Sequence, residues 1–248
     1  MVAVYQKVSR WHITIYAKIP HMNTLAFFDL DKTLYDGYSM VDFLFGYAIP
    51  RGLIQKEDKA MAEALLADYS QGLITYGQAT AEAVRLSGKV VAGHTVLEVK
   101  QWQEEFFQTQ KLFSYVSELF SFLKKSGFEV YIVSASIEPI VTHIAKYLGV
   151  KSFASTIEIK NGVYTQRVTK ILDEAAKSKE IAHLLKRQQN SVSFGFGDSS
   201  GDEALLDAVT HGFLYEPAQD ELKKLAESHG WSLVTRNTIL ETVRQRVD

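Results

Sequence analysis

Apolar positions along this chain follow two rhythms. The run Thr24 to Phe28, TLAFF, is short, apolar and unbroken, and it predicts a buried strand. After it the spacing becomes helical. Ser39 with Asp42 three residues on predicts a capping box with Asp in place of Glu, ahead of Met40, Phe43, Leu44 and Tyr47. Pro50 and Gly52 stop that helix. Residues 54–70, 75–87 and 94–109 predict three more helices. Met61, Leu65 and Leu66, then Ala79, Ala83 and Val84, fall at three- and four-residue steps. Gly72 and Gly77 punctuate between them, and Gly88 and Gly93 follow. No strand pattern interrupts residues 38–110.

From Tyr115 strands and helices alternate. Residues 114–126 predict a helix that stops at Gly127, and Glu129 to Val133 a strand. A helix over 137–148 follows, with Ser136 as N-cap, Pro139 in its first turn and Gly149 past its end. Lys151 to Ser155 predicts a short strand, and Asn161-Gly162 a tight hairpin within 158–164. A helix over 171–187 leads to a strand, Val192 to Phe196, that ends in Gly197-Asp198. A helix from Asp202, a strand at 212–215, a helix at 218–229 and a strand at 231–234 complete the series. This order predicts an α/β fold with a mainly parallel sheet. Such sheets bind ligands at the carboxyl ends of their strands. The helical run before residue 110 is about seventy residues long, whereas a crossover needs only one helix. It reads as a small inserted helical domain.

Composition narrows the classes. The chain has 248 residues, 46% hydrophobic and 23% charged, as in an ordinary globular protein. Its net charge of -2 carries no global signal for nucleic acid. It contains no cysteine, which excludes disulfides, thiolate catalysis and cysteine-bound zinc. No apolar run approaches the ~20 residues of a membrane span. A cytoplasmic protein is the expectation, and oligomeric state is left open. Residues 1–21 carry Lys7, Arg10 and Lys18 and no acid. They read as a basic leader or, since Met22 lies just before the strand, as an upstream extension. Trp11 to Tyr16 is rich in β-formers and would suit an edge strand.

The chemistry starts where the first strand ends, at Asp29, Leu30, Asp31, Lys32 and Thr33. Carboxylates at i and i+2 of an extended chain share a face. At ~4 Å and an effective dielectric of ~20 they repel by about 4 kcal/mol. A hard divalent cation removes that cost. The string Asp-Leu-Asp-Lys-Thr-Leu after an apolar strand resembles DxDxT, the first motif of the haloacid dehalogenase-like (HAD) phosphohydrolases. Three further motifs follow in the family's order. Val130 to Ser134, VYIVS, is similar to the second, a strand ending in Ser or Thr. Lys170, Lys177 and Lys179 compete for the third, a lysine, and the resemblance to phosphoserine phosphatases favours Lys177. Gly197-Asp198-Ser199-Ser200-Gly201-Asp202 matches the fourth, GDxxxD.

The resemblance covers residues 24 to about 216. It implies a Rossmann-like core, 22–36 and 111–248, carrying a helical cap, 37–110. It also implies a Mg²⁺-dependent phosphatase acting on a small phosphorylated metabolite through an aspartyl-phosphate, with neither nucleic acid nor membrane as partner. Asp29 is then the nucleophile and Asp31 the general acid and base. The metal falls to Asp29, the Asp31 main-chain carbonyl and Asp198. Thr33 orients Asp31 or its turn beside the phosphate. Ser134 and Lys177 bind phosphoryl oxygens, and Asp202 stands in support. Gly197 would let backbone approach a ligand closely.

Phosphoserine phosphatases place an acidic residue soon after the first motif to meet the substrate ammonium. Tyr38 occupies that position here, and Asp42 lies near but one helical step off. Tyr38, Met40, Phe43 and Phe45 would form an apolar lip, and Arg85 and Arg167 are candidates for a substrate anion. Two alternatives share these residue types: a phosphotransferase or mutase on the same fold, and a phospho-aspartate receiver module.

Overall fold

The computed structural model describes residues 24–107, 111–187 and 192–247. The extension at 1–21 and the edge strand expected at Trp11 to Tyr16 lie outside them. Strand β1, Thr24–Phe28, is the middle of a seven-stranded sheet. On one side stand β2 (Phe128–Ile137), β3 (Lys151–Lys160) and β4 (Val163–Lys170). On the other stand β5 (Ser193–Gly197), β6 (His211–Tyr215) and β7 (Ser232–Val234). Every neighbouring pair is parallel except the β3–β4 hairpin.

The α/β class with a mainly parallel sheet is thus as expected. Its reason is visible in β1, where no side chain from Leu25 to Phe28 touches water. Leu25 and Phe27 pack on one face with Leu205, Leu214 and Ile181. Ala26 and Phe28 pack on the other with Ile132, Phe194 and Phe196. Register stacks three phenylalanines across adjacent strands. Phe28 and Phe196 lie 4.0 Å apart, nearly coplanar, and Phe196 and Phe213 4.6 Å apart. A strand buried on both faces cannot alternate, which is why TLAFF is an unbroken apolar run.

Helices α1 (Ser39–Val41), α2 (Lys56–Ser70), α3 (Tyr76–Val91) and α4 (Val96–Phe106) form the inserted segment. Between α1 and α2 the chain runs as a wide π-helical stretch, Asp42–Ala48. Helix α5, Val116–Lys125, packs under β2. Helix α6 (Glu138–Leu148) follows β2, and α7 (Glu174–Lys186) and α8 (Glu203–Ala208) flank β5. Helix α9, Asp220–His229, precedes β7, and α10, Ile239–Val247, ends the described chain.

Several boundaries differ from expectation, each for a tertiary reason. The Ser39–Asp42 capping box does not form: the Ser39 hydroxyl donates to Ser136 Oγ at 3.1 Å, and Asp42 accepts from Tyr35 and Lys111. Strand β2 continues through Ser136 because Ile137 registers with Ser155 of β3, so Ile137 becomes the N-cap of α6. The hairpin arms are longer than read, with Asn161 and Gly162 at positive φ, as a two-residue turn requires. Helix α3 runs on through Gly88, where a Cβ would stand 3.3 Å from the Gln166 carbonyl of β4. The inserted segment is thereby laced to the hairpin. Gly93 N–H donates to Tyr164 O and Tyr164 N–H to His94 O, both at 2.9 Å, and Val96 N–H to Gly162 O at 3.0 Å. The sequence reading missed α10, whose Ile239 and Val243 are fully buried.

Gly195 tests the fit of β5 against α8. A Cβ there would lie 2.6 Å from Leu205 Cδ2 and 2.9 Å from Val209 Cγ2. Gly195→Ala is expected to destabilise the fold by about 1–3 kcal/mol through overpacking. Urea unfolding measures it, and an unchanged midpoint would show that α8 shifts freely.

Candidate active site

The strand order reverses beside β1, the crevice where parallel α/β sheets bind ligands. Phe28 is level with Ile132 of β2 and Phe196 of β5. Two residues further along each strand lie Ser134 and Asp198, so register alone brings them beside Asp29. The Asp29 N–H donates to Phe196 O at 2.9 Å, which fixes the point where β1 leaves the sheet. The chain then curls tightly, with Leu34 and Tyr35 N–H both donating to Leu30 O at 2.8 Å and Lys32 at positive φ.

That curl points Asp31 at the inserted segment, where its Oδ1 accepts the Ser39 N–H at 2.8 Å. Thr33 takes one of the two parts expected of it, that of ordering the turn. It is fully buried, its hydroxyl has no partner among the described residues, and its carbonyl accepts from the Tyr115 hydroxyl. It therefore holds the turn from beneath and does not touch the Asp31 carboxylate. Ser134 is buried, and its Oγ accepts from the Ser136 N–H at 3.1 Å.

Lys177 sits on the inward face of α7, one turn before the buried Ile181. The Asp173 side chain caps that helix by accepting from Ala176 N–H at 2.9 Å. Lys177 Nζ donates to Asp29 Oδ1 at 2.6 Å and to Asp202 Oδ1 at 2.9 Å. Its rivals lie elsewhere: Lys170 pairs with Glu180, and Lys179 is exposed.

Asp202 is almost fully buried, 1% exposed. Its Oδ2 accepts the Ser199 hydroxyl at 3.1 Å and the Asp198 N–H at 3.2 Å. It thus closes a capping box with Ser199 while its other oxygen holds Lys177. Gly197 makes this possible. A Cβ there would lie 2.4 Å from the Asp202 Cβ, so the space left by the missing side chain is filled by Asp202 and not by a ligand.

Carboxylate oxygens of Asp29, Asp198 and Asp202 lie within 4.8 Å of one another. Three carboxylates thus face one ammonium, and the excess charge is felt. Burial, then Asp202, pushes the Asp29 carboxyl up to about 8, against the pull of Lys177. Burial, then Asp202 and Asp29, pushes Asp198 up to about 9. Burial lifts Asp31 to about 6, restrained by its hydrogen bonds from Ser39. Burial opposes the Lys177 ammonium, but Asp202 and Asp29 outweigh it and hold it above its usual value. A hard cation fits this donor set, because carboxylate oxygens suit it and its charge relieves the repulsion. With Asp202 engaged by Lys177 and backbone N–H groups, Asp29 and Asp198 are the carboxylates left for it.

The sequence reading missed three residues here. Ser39 and Ser136 tie the inserted segment to the strand end. Tyr76, at the start of α3, stands over the acidic cluster; burial, then the charge of Asp29, raises its hydroxyl. The T-x-x-Q box at Thr75–Gln78 marks where that helix starts, but nothing in the sequence links it to Asp29. Arg85 and Arg167 are surface residues paired with Glu82 and Glu158. Tyr38 does line the crevice, whereas Phe43 is buried against Tyr47 and Phe106.

The haloacid dehalogenase-like hydrolase family matches residues 26–207. The chain belongs to that family, which removes the receiver-module alternative. Within it the chain is phosphoserine-phosphatase-like. It is 27% identical over 226 residues to a probable phosphatase of Mycobacterium tuberculosis, spanning 87% of this chain and 76% of that one. It is 25% identical over 227 residues to a phosphoserine phosphatase of the same organism, spanning 86% and 70%. A crystal structure of a Bordetella pertussis protein of unknown function superposes with a TM-score of 0.71 at 25% identity, covering 86% of this chain and 99% of that one.

The raised carboxyls have a consequence for stability. An acid whose pKa is higher folded than unfolded costs nothing below its unfolded value near 3.8. Above that, the unfolded chain releases a proton that the folded chain keeps, so stability falls as pH rises toward about 8 and 9. A bound cation cancels the penalty. The rise in Tm on adding Mg²⁺ to metal-free protein is therefore expected to be larger at pH 8 than at pH 5. Differential scanning fluorimetry checks this, and equal shifts at both pH values would refute the electrostatic account.

Proposed function

We propose that this chain is a Mg²⁺-dependent phosphatase that hydrolyses a small phosphomonoester through an aspartyl-phosphate intermediate. The observation that carries the reading is the buried Asp29–Lys177 pair at the end of the central strand, with Asp31 two residues on. The phosphatases among the chain's relatives support it. In this reading residues 22–36 and 111–248 are the catalytic core and 37–110 its cap.

Phosphoryl transfer needs positioning and charge stabilisation above all. A carboxylate oxygen of Asp29 attacks phosphorus, and the new oxygen–phosphorus bond forms as the bond from phosphorus to the leaving oxygen breaks. The leaving oxygen keeps the electron pair and takes the Asp31 proton, which releases the alcohol. Water then attacks the same phosphorus and gives a proton to Asp31, the Asp29–phosphorus bond breaks, and inorganic phosphate leaves. Lys177 and Ser134 hold phosphoryl oxygens, and Lys177 screens Asp29 from the incoming dianion. Asp202 fixes Lys177. Asp29, the Asp31 main-chain carbonyl and Asp198 would hold Mg²⁺, which when bound would supply positive charge to the phosphoryl oxygens. Thr33 serves the turn and not the phosphate.

Inorganic phosphate is expected as product from p-nitrophenyl phosphate, in Mg²⁺ and not in EDTA. Rapid-quench trapping tests the roles of the two aspartates. Asp29→Asn should leave no labelled phosphoenzyme, and label retained by that variant would sink the nucleophile assignment. Asp31→Asn should slow both formation and breakdown of the intermediate while keeping metal affinity.

Asp31 also sets a pH signature. Its proton is present below about 6 and lost above it. Formation of the phosphoenzyme should slow as pH rises through that value, because the acid form is lost. Breakdown should slow as pH falls through it, because the base form is lost. Single-turnover rates on either side of pH 6 separate the two limbs. Parallel pH dependence of both steps would contradict one residue serving as acid and base.

A further inference from the structure

The cavity beside Asp31 says what the leaving group is made of. Asp31 gives its proton to the leaving oxygen, so the alcohol lies beyond Asp31, and the cavity it borders runs into the inserted segment. Three helical faces wall it. Ala62, Leu65 and Leu66 stand one turn apart on α2, with Ala79 and Ala83 one turn apart on α3. Met40 and Leu44, from α1 and the π-helical stretch, close the third side. The alanines keep it open, since larger side chains at those steps would let α2 and α3 fill the space.

The charge of this lining is the telling point. Among the described residues around it, Asp31 is the single charged side chain; the other polar groups are Thr80 and tyrosine hydroxyls. An amino-acid substrate brings an ammonium and a carboxylate; the carboxylate has no cationic partner here, and the one acid, Asp31, is taken up with the leaving oxygen. Asp42 is not part of the wall, and its Oδ2 already accepts from Tyr35 and Lys111 at 2.9 Å each. Arg85 is turned away, paired with Glu82. Burying an unpaired charge among Leu, Met and Ala is costly, whereas an alkyl chain gains from every methylene buried there. A second, polar cleft opens on the far side of Tyr38 and Tyr76, lined by Asp198, Ser199, Lys32 and Arg236. It borders Asp198 and not Asp31, the residue that faces the leaving oxygen.

We propose that the substrate is the phosphate monoester of an uncharged aliphatic alcohol, whose hydrocarbon chain lies between α2, α3 and the π-helical stretch. This rests on the phosphatase reading above and specifies its leaving group. The chemistry is unchanged: the alkyl oxygen takes the Asp31 proton and leaves as the alcohol.

The test is steady-state kinetics in Mg²⁺ on methyl, butyl, hexyl and octyl phosphate below their micellar concentrations, beside L-phosphoserine, for the wild type and Ala79→Leu. The kcat/KM is expected to rise about two- to fourfold per methylene until the cavity is full. Octyl phosphate should lead phosphoserine at least tenfold. Ala79→Leu, checked for folding by its melting curve, should move the optimum to a shorter chain. A flat series with methyl phosphate still turned over, or phosphoserine in the lead, would overturn the aliphatic substrate and leave the phosphatase standing. A chain-length rise that Ala79→Leu does not alter would overturn the placement in this cavity. No turnover of any ester and no labelled phosphoenzyme would remove the phosphatase reading itself, and this inference with it.

Discussion

One buried ammonium holds the site together. Lys177 reaches across from α7 to Asp29 at the end of β1 and to Asp202 at the start of α8, at 2.6 and 2.9 Å. Taking such charges out of water is expensive, and a buried pair seldom stabilises a fold by itself. Here the arrangement makes sense as placement. It sets a carboxylate oxygen at a fixed point in a water-poor crevice and keeps the third acid, Asp198, free. Everything around it serves the same end: the parallel register levels the strand tips, Gly197 yields room for Asp202, and the Thr33 carbonyl and Tyr115 brace the turn.

Much of this was legible in the chain because it is local. Asp29, Asp31, Asp198 and Asp202 follow apolar strands within a few residues, so strand reading and motif reading reinforce each other. Lys177 was harder. A string of nearby lysines does not say which one turns inward; Ile181, one turn along, is the clue that marks the buried face. Apart from α10, whose four-residue spacing of Ile239, Val243 and Val247 was there to be read, the failures are tertiary. Ser39 looks like a cap until Ser136 and Asp31 claim its hydroxyl and amide. Gly88 looks like a helix end until β4 comes within contact of it. Tyr76 carries no local signal, because its neighbourhood with Asp29 exists only once the inserted segment is folded over the sheet.

The inserted segment shares an apolar core with the sheet and is also tied to it by hydrogen bonds near both of its ends. Its far end is bound edge-on to the β3–β4 hairpin by main-chain hydrogen bonds through Gly93, His94 and Val96. Its near end meets the core through Ser39, which touches both Asp31 and Ser136. Between these anchors α2 and α3 face each other across small side chains and leave a gap. A helix pair built only for stability would close that gap with larger residues. The open space is therefore better understood as a property of the site than of the fold.

Asp202 has an implication for how this protein can change over time. One of its oxygens completes the turn that starts α8, and the other anchors Lys177. Folding and chemistry thus make separate demands on one carboxylate, and Gly197 is committed to it as well. Substitutions that remove its oxygens strike the local fold and the reaction centre together. The cavity wall is under no such double demand. Divergence, natural or directed, is accordingly channelled into the inserted segment, where new specificities can arise while the reaction centre is inherited intact.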